Sequence, residues 1–144
     1  MITDTDHGYK KLLVNVRKMR KTTVKVGVDD KPHPGRSGLT TAEIGAIHEF
    51  GLGVPQRSFL RGWVDGHQRE WFSWLRQGLV RALVGDAKWA DDYGKYAVKG
   101  VQERILAHIP PPLADSTVER KGGETTPLLD TGELLQDIIY EVER

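Results

Sequence analysis

Apolar and polar positions follow two periods along the chain, and the changes of period mark its elements. From Thr22 to Val28, Val24, Val26 and Val28 alternate with Thr23, Lys25 and Gly27, the pattern of a half-buried strand. Asp137 to Glu143 repeats it, with Ile138, Tyr140 and Val142 set against Ile139, Glu141 and Glu143, and predicts a closing strand that pairs with the first. Between them the spacing becomes three and four. Leu60, Trp63, Val64, His67, Trp71, Trp74, Leu75, Gly78, Leu79 and Ala82 form one such series and predict a long helix with a buried face, ended by Gly85 and Asp86. A second long helix is predicted from about Ala87 to Ile109, with Tyr93, Ala97, Val101, Ile105 and His108 on one stripe. Pro110, Pro111 and Pro112 stop it.

Two shorter segments are also patterned. Leu39 to Gly51 has a helix start in Thr40 as N-cap and Glu43 as its capping-box partner, with Leu39 set to staple onto Ile44 and Gly51 as the stop. Tyr9 to Arg20 puts Leu12, Leu13 and Val16 opposite lysine and arginine, which fits an amphipathic helix or an extended arm over residues 1–21. The segments 30–39 and 110–127 are rich in proline, glycine and polar residues and lack a period, so both are expected to be flexible loops. The fold expected from this order is α+β, a small antiparallel sheet packed against two long helices plus a short capped helix, with long mobile loops, all in one domain over residues 1–144.

Composition narrows the function classes. With 38% apolar and 28% charged residues the chain lies on the folded side of the order–disorder divide. It has no cysteine, which removes disulfides and thiolate metal sites and fits a reducing cytoplasm. No apolar run suggests a signal peptide or a membrane span. The net charge of +1 does not favour a dedicated nucleic-acid binder. The basic residues are nonetheless uneven: Lys10, Lys11, Arg17, Lys18, Arg20, Lys21 and Lys25 face only Asp4 and Asp6 in the first 25 positions. That cluster fits a solvated helix face, or, as the alternative function, a nucleic-acid-binding module.

Sequences that carry chemistry are few. Leu128-Leu129-Asp130-Thr131-Gly132 has the form of the catalytic turn of retroviral-type aspartic proteases, in which two aspartates share a proton. Only 12 residues follow Gly132 in this chain of 144, and the pattern before it is helical, whereas that fold is nearly all β. The expectation is that Asp130 or Thr131 caps a short helix over Glu133 to Gln136. His48-Glu49 opens like a zincin helix, but Leu52 stands where the second histidine would be. The other histidines have no ligand spacing, with His67 and His108 expected on helix faces, and Gly51-Leu52-Gly53 lacks the rest of a phosphate loop. No catalytic residue, metal site or cofactor is expected, and the chain is expected not to be an enzyme.

Two segments resemble one family. Glu43 to Gly51 contains I-x-x-x-H-E-F-G, carried by Ile44, His48, Glu49, Phe50 and Gly51. P-x-R-x-F-L-R follows, carried by Pro55, Arg57, Phe59, Leu60 and Arg61. Near the other end, Lys121-Gly122 leads to Pro127-Leu128-Leu129-Asp130-Thr131-Gly132-Glu133-Leu134 and then Ile138-Ile139-Tyr140-Glu141-Val142. Together these resemble the tail-completion or neck proteins of long-tailed bacteriophages, a family that includes proteins like minor tail protein Z, over roughly residues 22 to 142. Gln56 and Ser58 stand where such proteins often have proline or arginine, and Asp137 where serine is common.

The resemblance implies a structural virion protein that joins the head connector to the tail. It would be assembled in the host cytoplasm, act as a homo-oligomeric ring, and bind head-tail connector or adaptor proteins and tail terminator or tail tube proteins. A passing contact with DNA is left open, and no membrane is implied. Contacts are then expected from the two loops, at Pro32, Arg36, Glu119, Arg120 and Lys121, and from Arg57 and Arg61 across a subunit boundary. Phe50, Phe59, Leu60 and Trp63 are expected to pack, with Phe50 and Phe59 filling a helix-loop-helix corner. Asp130, Thr131 and Gly132 become a structural cap.

Overall fold

The computed structural model describes residues 5–34 and 38–144. Strands β1 (Thr23–Val28) and β2 (Ile138–Glu143) pair antiparallel, from Thr23 opposite Glu143 to Val28 opposite Ile138. Val24, Val26 and Val28 turn inward with Ile138, Tyr140 and Val142, while Lys25, Glu141 and Glu143 face solvent, as a period of two requires. The Lys25 ammonium pairs with the Glu143 carboxylate on this outer face. The inner face lies on helix α5 (Trp89–Leu106). Helix α4 (Gln68–Leu83) packs beside α5 and carries α1 (Tyr9–Lys21) on its other flank. Helix α2 (Thr41–Phe50) lies against β1 and the short α7 (Glu133–Gln136), and α3 (Leu60–Gly66) packs on α5. Helix α6 (Asp115–Arg120) completes the set. The fold is α+β, with a small antiparallel sheet and two long helices as anticipated.

Helix α5 is the axis of the core. Ala97, Val101 and Ile105 meet Phe59, Trp63, Ile109, Leu128, Leu134 and Ile138, and a second cluster gathers Ala82, Trp89 and Ala90 under Met19, Val24, Leu75, Leu79 and Val142. Three aromatic rings dock directly on helix backbone at glycines. A Cβ at Gly100 would lie 2.1 Å from Trp63 Nε1, one at Gly94 2.3 Å from Tyr140 Cδ2, and one at Gly78 3.0 Å from Trp89 Cε3. Any larger residue at Gly94 or Gly100 would push the ring, and with it α3 or β2, off α5.

Several expectations need correction. The predicted helix from Leu60 onward is two helices, broken at His67 (φ −125°, ψ 27°). Both halves pack on α5 but at different levels: Trp63 docks on Gly100, whereas Gly78 and Ala82 pack around Trp89 at its start. Gly62 and Gly66 lower helix propensity ahead of the break. Consequently Val64, His67 and Trp74 are exposed, and Trp74 stacks on Tyr96 with ring centroids 4.6 Å apart. The second long helix ends at Leu106, and His108 is exposed at φ 50° rather than on the buried stripe. Residues 110–127 are not irregular throughout: they contain α6 and bury Thr126 and Pro127 beside the core residue Leu128. Phe50 is 62% exposed, so Phe59 alone fills the corner. The short helix over Glu133–Gln136 is present, but its N-cap is Gly132 at φ 88° with no side-chain bond, so neither Asp130 nor Thr131 caps it. At the other end, α1 is a helix rather than an extended arm, and none of its residues is buried.

Candidate functional site

The start of α2 follows the local code. Thr40 Oγ1 accepts from Glu43 N at 3.2 Å and Glu43 Oε2 accepts from Thr40 N at 2.8 Å, a reciprocal capping box. Its end is stopped by Gly51 at φ 71°, which donates its N–H to Ile47 O. The next residues fold back along the helix: Arg57 N donates to His48 O at 2.8 Å and Gln56 Nε2 to Glu49 O at 3.0 Å.

This return brings Glu49, 6% exposed, to the start of α3. Its Oε2 accepts from Phe59 N at 2.8 Å and Leu60 N at 3.0 Å, and its Oε1 from Ser58 Oγ at 2.6 Å and Arg61 N at 3.1 Å. Ser58 Oγ in turn accepts from Gly62 N at 3.1 Å. These are the N–H groups that a helix start leaves unpaired, at the positive end of its dipole. Burial by itself would raise the Glu49 pKa, but the hydrogen bonds from Ser58, Leu60, Arg61 and Phe59 outweigh it and hold the carboxyl below its ordinary range. Glu49 is therefore an ionised cap supplied from a preceding helix.

On the far side of the same loop lies a cleft of about 420 Å³. Its lining comes from three stretches of the chain: Ile44, His48, Val54 and Arg57; Leu113, Thr117, Arg120 and Lys121; and Leu128, Asp130, Thr131, Gly132 and Glu133. Among the described residues the Arg57 side chain is held at one nitrogen only. The residue is 4% exposed and Nη2 donates to Pro111 O at 2.7 Å, while Nε is buried with no hydrogen-bond partner among the described residues. Burial lowers the Arg57 pKa. Lys121 Nζ donates to Thr126 O at 2.8 Å; burial lowers its pKa too, with Arg57 and Arg120 acting in the same direction against Asp130 and Glu124. Across the cleft, Glu133 Oε2 lies 3.7 Å from His33 Nε2. Among the described residues, Arg57, Arg120 and Lys121 form no ion pair within 4.0 Å.

The cleft thus gathers His48, Arg57, Arg120, Lys121, Asp130, Thr131 and Gly132. Arg57, expected at a subunit boundary, is buried within the chain and donates to Pro111 instead. Arg61 and Glu119 are exposed outside the cleft, and Pro32 is exposed and bridged to Thr40. Arg36 lies outside the described residues. Phe59 is fully buried and Leu60 packs beside it. Sequence reasoning missed the role of Glu49: Ser58 before an apolar run was a local sign of a helix start, but nothing local tied it to a carboxylate nine residues earlier. Among the described residues no group of three or more His, Asp or Glu could hold a metal, and no helix is long and apolar enough to cross a membrane. No protein-family model, curated protein or solved structure matches the chain.

Proposed function

We propose that this chain is a structural subunit of a tailed-bacteriophage neck, joining the head connector to the tail by assembling into a ring. The observation that carries the reading is the meeting of its two family-like segments. His48 and Arg57 from the first, and Lys121 and Asp130 to Gly132 from the second, line one cleft although more than sixty positions separate them. Each segment also has a structural task suited to a rigid adaptor: Glu49 locks α2 to α3, and Leu128, Leu134 and Ile138 enter the core. Deleting the gene in its phage and imaging the lysate by electron microscopy tests the reading. Filled heads and separate tails are expected to accumulate, and to join when the protein is supplied in trans; normal virions without it would refute the neck role.

A second reading has one observation in its favour. Lys10, Lys11, Arg17, Lys18, Arg20 and Lys21 are all exposed on α1, which suits a nucleic-acid-binding module. DNA binding that falls steeply with salt, and is lost when these residues are neutralised, would favour it over the neck.

A further inference from the structure

A guanidinium taken out of water needs an opposite charge or a full set of hydrogen bonds, because either deficit is costly. Arg57 has neither: it is 4% exposed, one of its nitrogens bonds a carbonyl, and Nε has no partner among the described residues. Arg120 and Lys121 stand in the same cleft without an ion pair among those residues, and the Lys121 ammonium is spent on a neutral carbonyl. Asp130 and Glu133 also line the cleft, and Glu133 is turned toward His33. Arg57, Arg120 and Lys121, with Asp130 near Lys121, therefore leave the cleft a net positive region, while Ile44, Val54, Pro55, Leu113, Leu128 and Leu134 supply an aliphatic lining.

We propose that this cleft is a docking site for a segment of a partner protein that presents an acidic side chain flanked by apolar residues. The carboxylate accepts from the Arg57 guanidinium where it lines the cleft, with Arg120 and Lys121 beside it, and the flanking side chains cover the aliphatic lining. A nucleic-acid backbone is charged at every unit, whereas the cations here share the concavity with aliphatic side chains and the carboxylates of Asp130 and Glu133, so a peptide suits it better. The burial that lowers the pKa of Arg57 and Lys121 also strengthens a charge-assisted bond formed there.

The test is a titration of the ¹⁵N-labelled full chain followed by NMR, with three probes: the capped tripeptide acetyl-Leu-Glu-Leu-amide, its glutamine counterpart, and inorganic phosphate. The glutamate peptide is expected to give a saturable shift of the Arg57 Nε–H signal and of the Thr117 and Lys121 amides, and the glutamine peptide to bind at least about tenfold more weakly. Arg57→Gln is expected to abolish the response. Should that variant fail to fold, Arg120→Gln, at an exposed position, is expected to weaken binding several-fold with an unchanged melting temperature. No saturable shift, or equal binding of the two peptides, overturns the proposal. So does a response to phosphate without one to the glutamate peptide, which assigns the cleft to a phosphate backbone. Because peptide binding reports on the cleft and particle imaging on the neck, failure of either is distinguishable from failure of the other.

Discussion

Glu49 is the residue on which the corner between α2 and α3 depends. Its two oxygens accept three backbone N–H groups and the Ser58 hydroxyl, and hydrogen bonds to a charged acceptor contribute about 1.5–3 kcal/mol each before non-additivity. Glu49→Gln keeps the shape but removes the charge and turns an amide NH2 toward donors. It is expected to lower stability by about 2–3 kcal/mol in urea titrations at neutral pH. The sign of the pH effect follows from the depressed pKa. The contribution is fully present above the unfolded-state value of 4.5 and is lost as pH falls through the lower folded-state value. Wild type and variant are therefore expected to differ by a constant amount above about pH 5.5 and to converge in acid. Gly51 serves the same corner: at φ 71° a Cβ would lie 2.9 Å from Gln56 Cβ. Gly51 as a stop is legible in the sequence; the Glu49 cap is not, because its partners arrive through a turn of the chain.

At the scale of elements, the glycine contacts decide how closely α5 is approached. Gly100→Ala gains about 1 kcal/mol of helix propensity, but its Cβ would meet Trp63 at 2.1 Å, and overpacking of that kind costs about 1–3 kcal/mol or more. The expected outcome is a net loss of stability with a red shift of tryptophan emission as Trp63 is driven from the core. Gly66→Ala is the control: nothing lies within 4 Å of its Cβ, so its urea midpoint is expected to hold or rise slightly. Periodicity found the face of α5 through Ala97, Val101 and Ile105, yet could not show that Gly94 and Gly100 receive the rings of Tyr140 and Trp63, which come from distant parts of the chain. The same blindness joined α3 to α4. Apolar residues continue at helical spacing across His67, although the two halves pack at different levels of α5.

Across the whole molecule, stability is unevenly distributed. Helix α5 buries Trp89, Ala90, Gly94, Ala97, Gly100, Val101 and Ile105, while α1 buries no residue and is tied by contacts such as Asn15 Nδ2 to Leu83 O at 2.9 Å. Hydrogen exchange is expected to show α1 amides opening locally, orders of magnitude faster than those of α5, which should exchange only on global unfolding. Equal protection in the two helices would refute this.

What the sequence determined by itself is whatever has a local cause. The alternation of Val24, Val26 and Val28 and of Ile138, Tyr140 and Val142 makes strands, Thr40 with Glu43 starts α2, and Gly51 ends it, because each rests on neighbours within a few residues. Tertiary structure alone decided that Phe50 stays in solvent while Phe59 is buried, that Glu49 caps a helix it does not belong to, and that Arg57 meets Arg120 and Lys121 in one cleft. Those outcomes depend on which surfaces the chain brings together, and no repeat or spacing in the sequence encodes that.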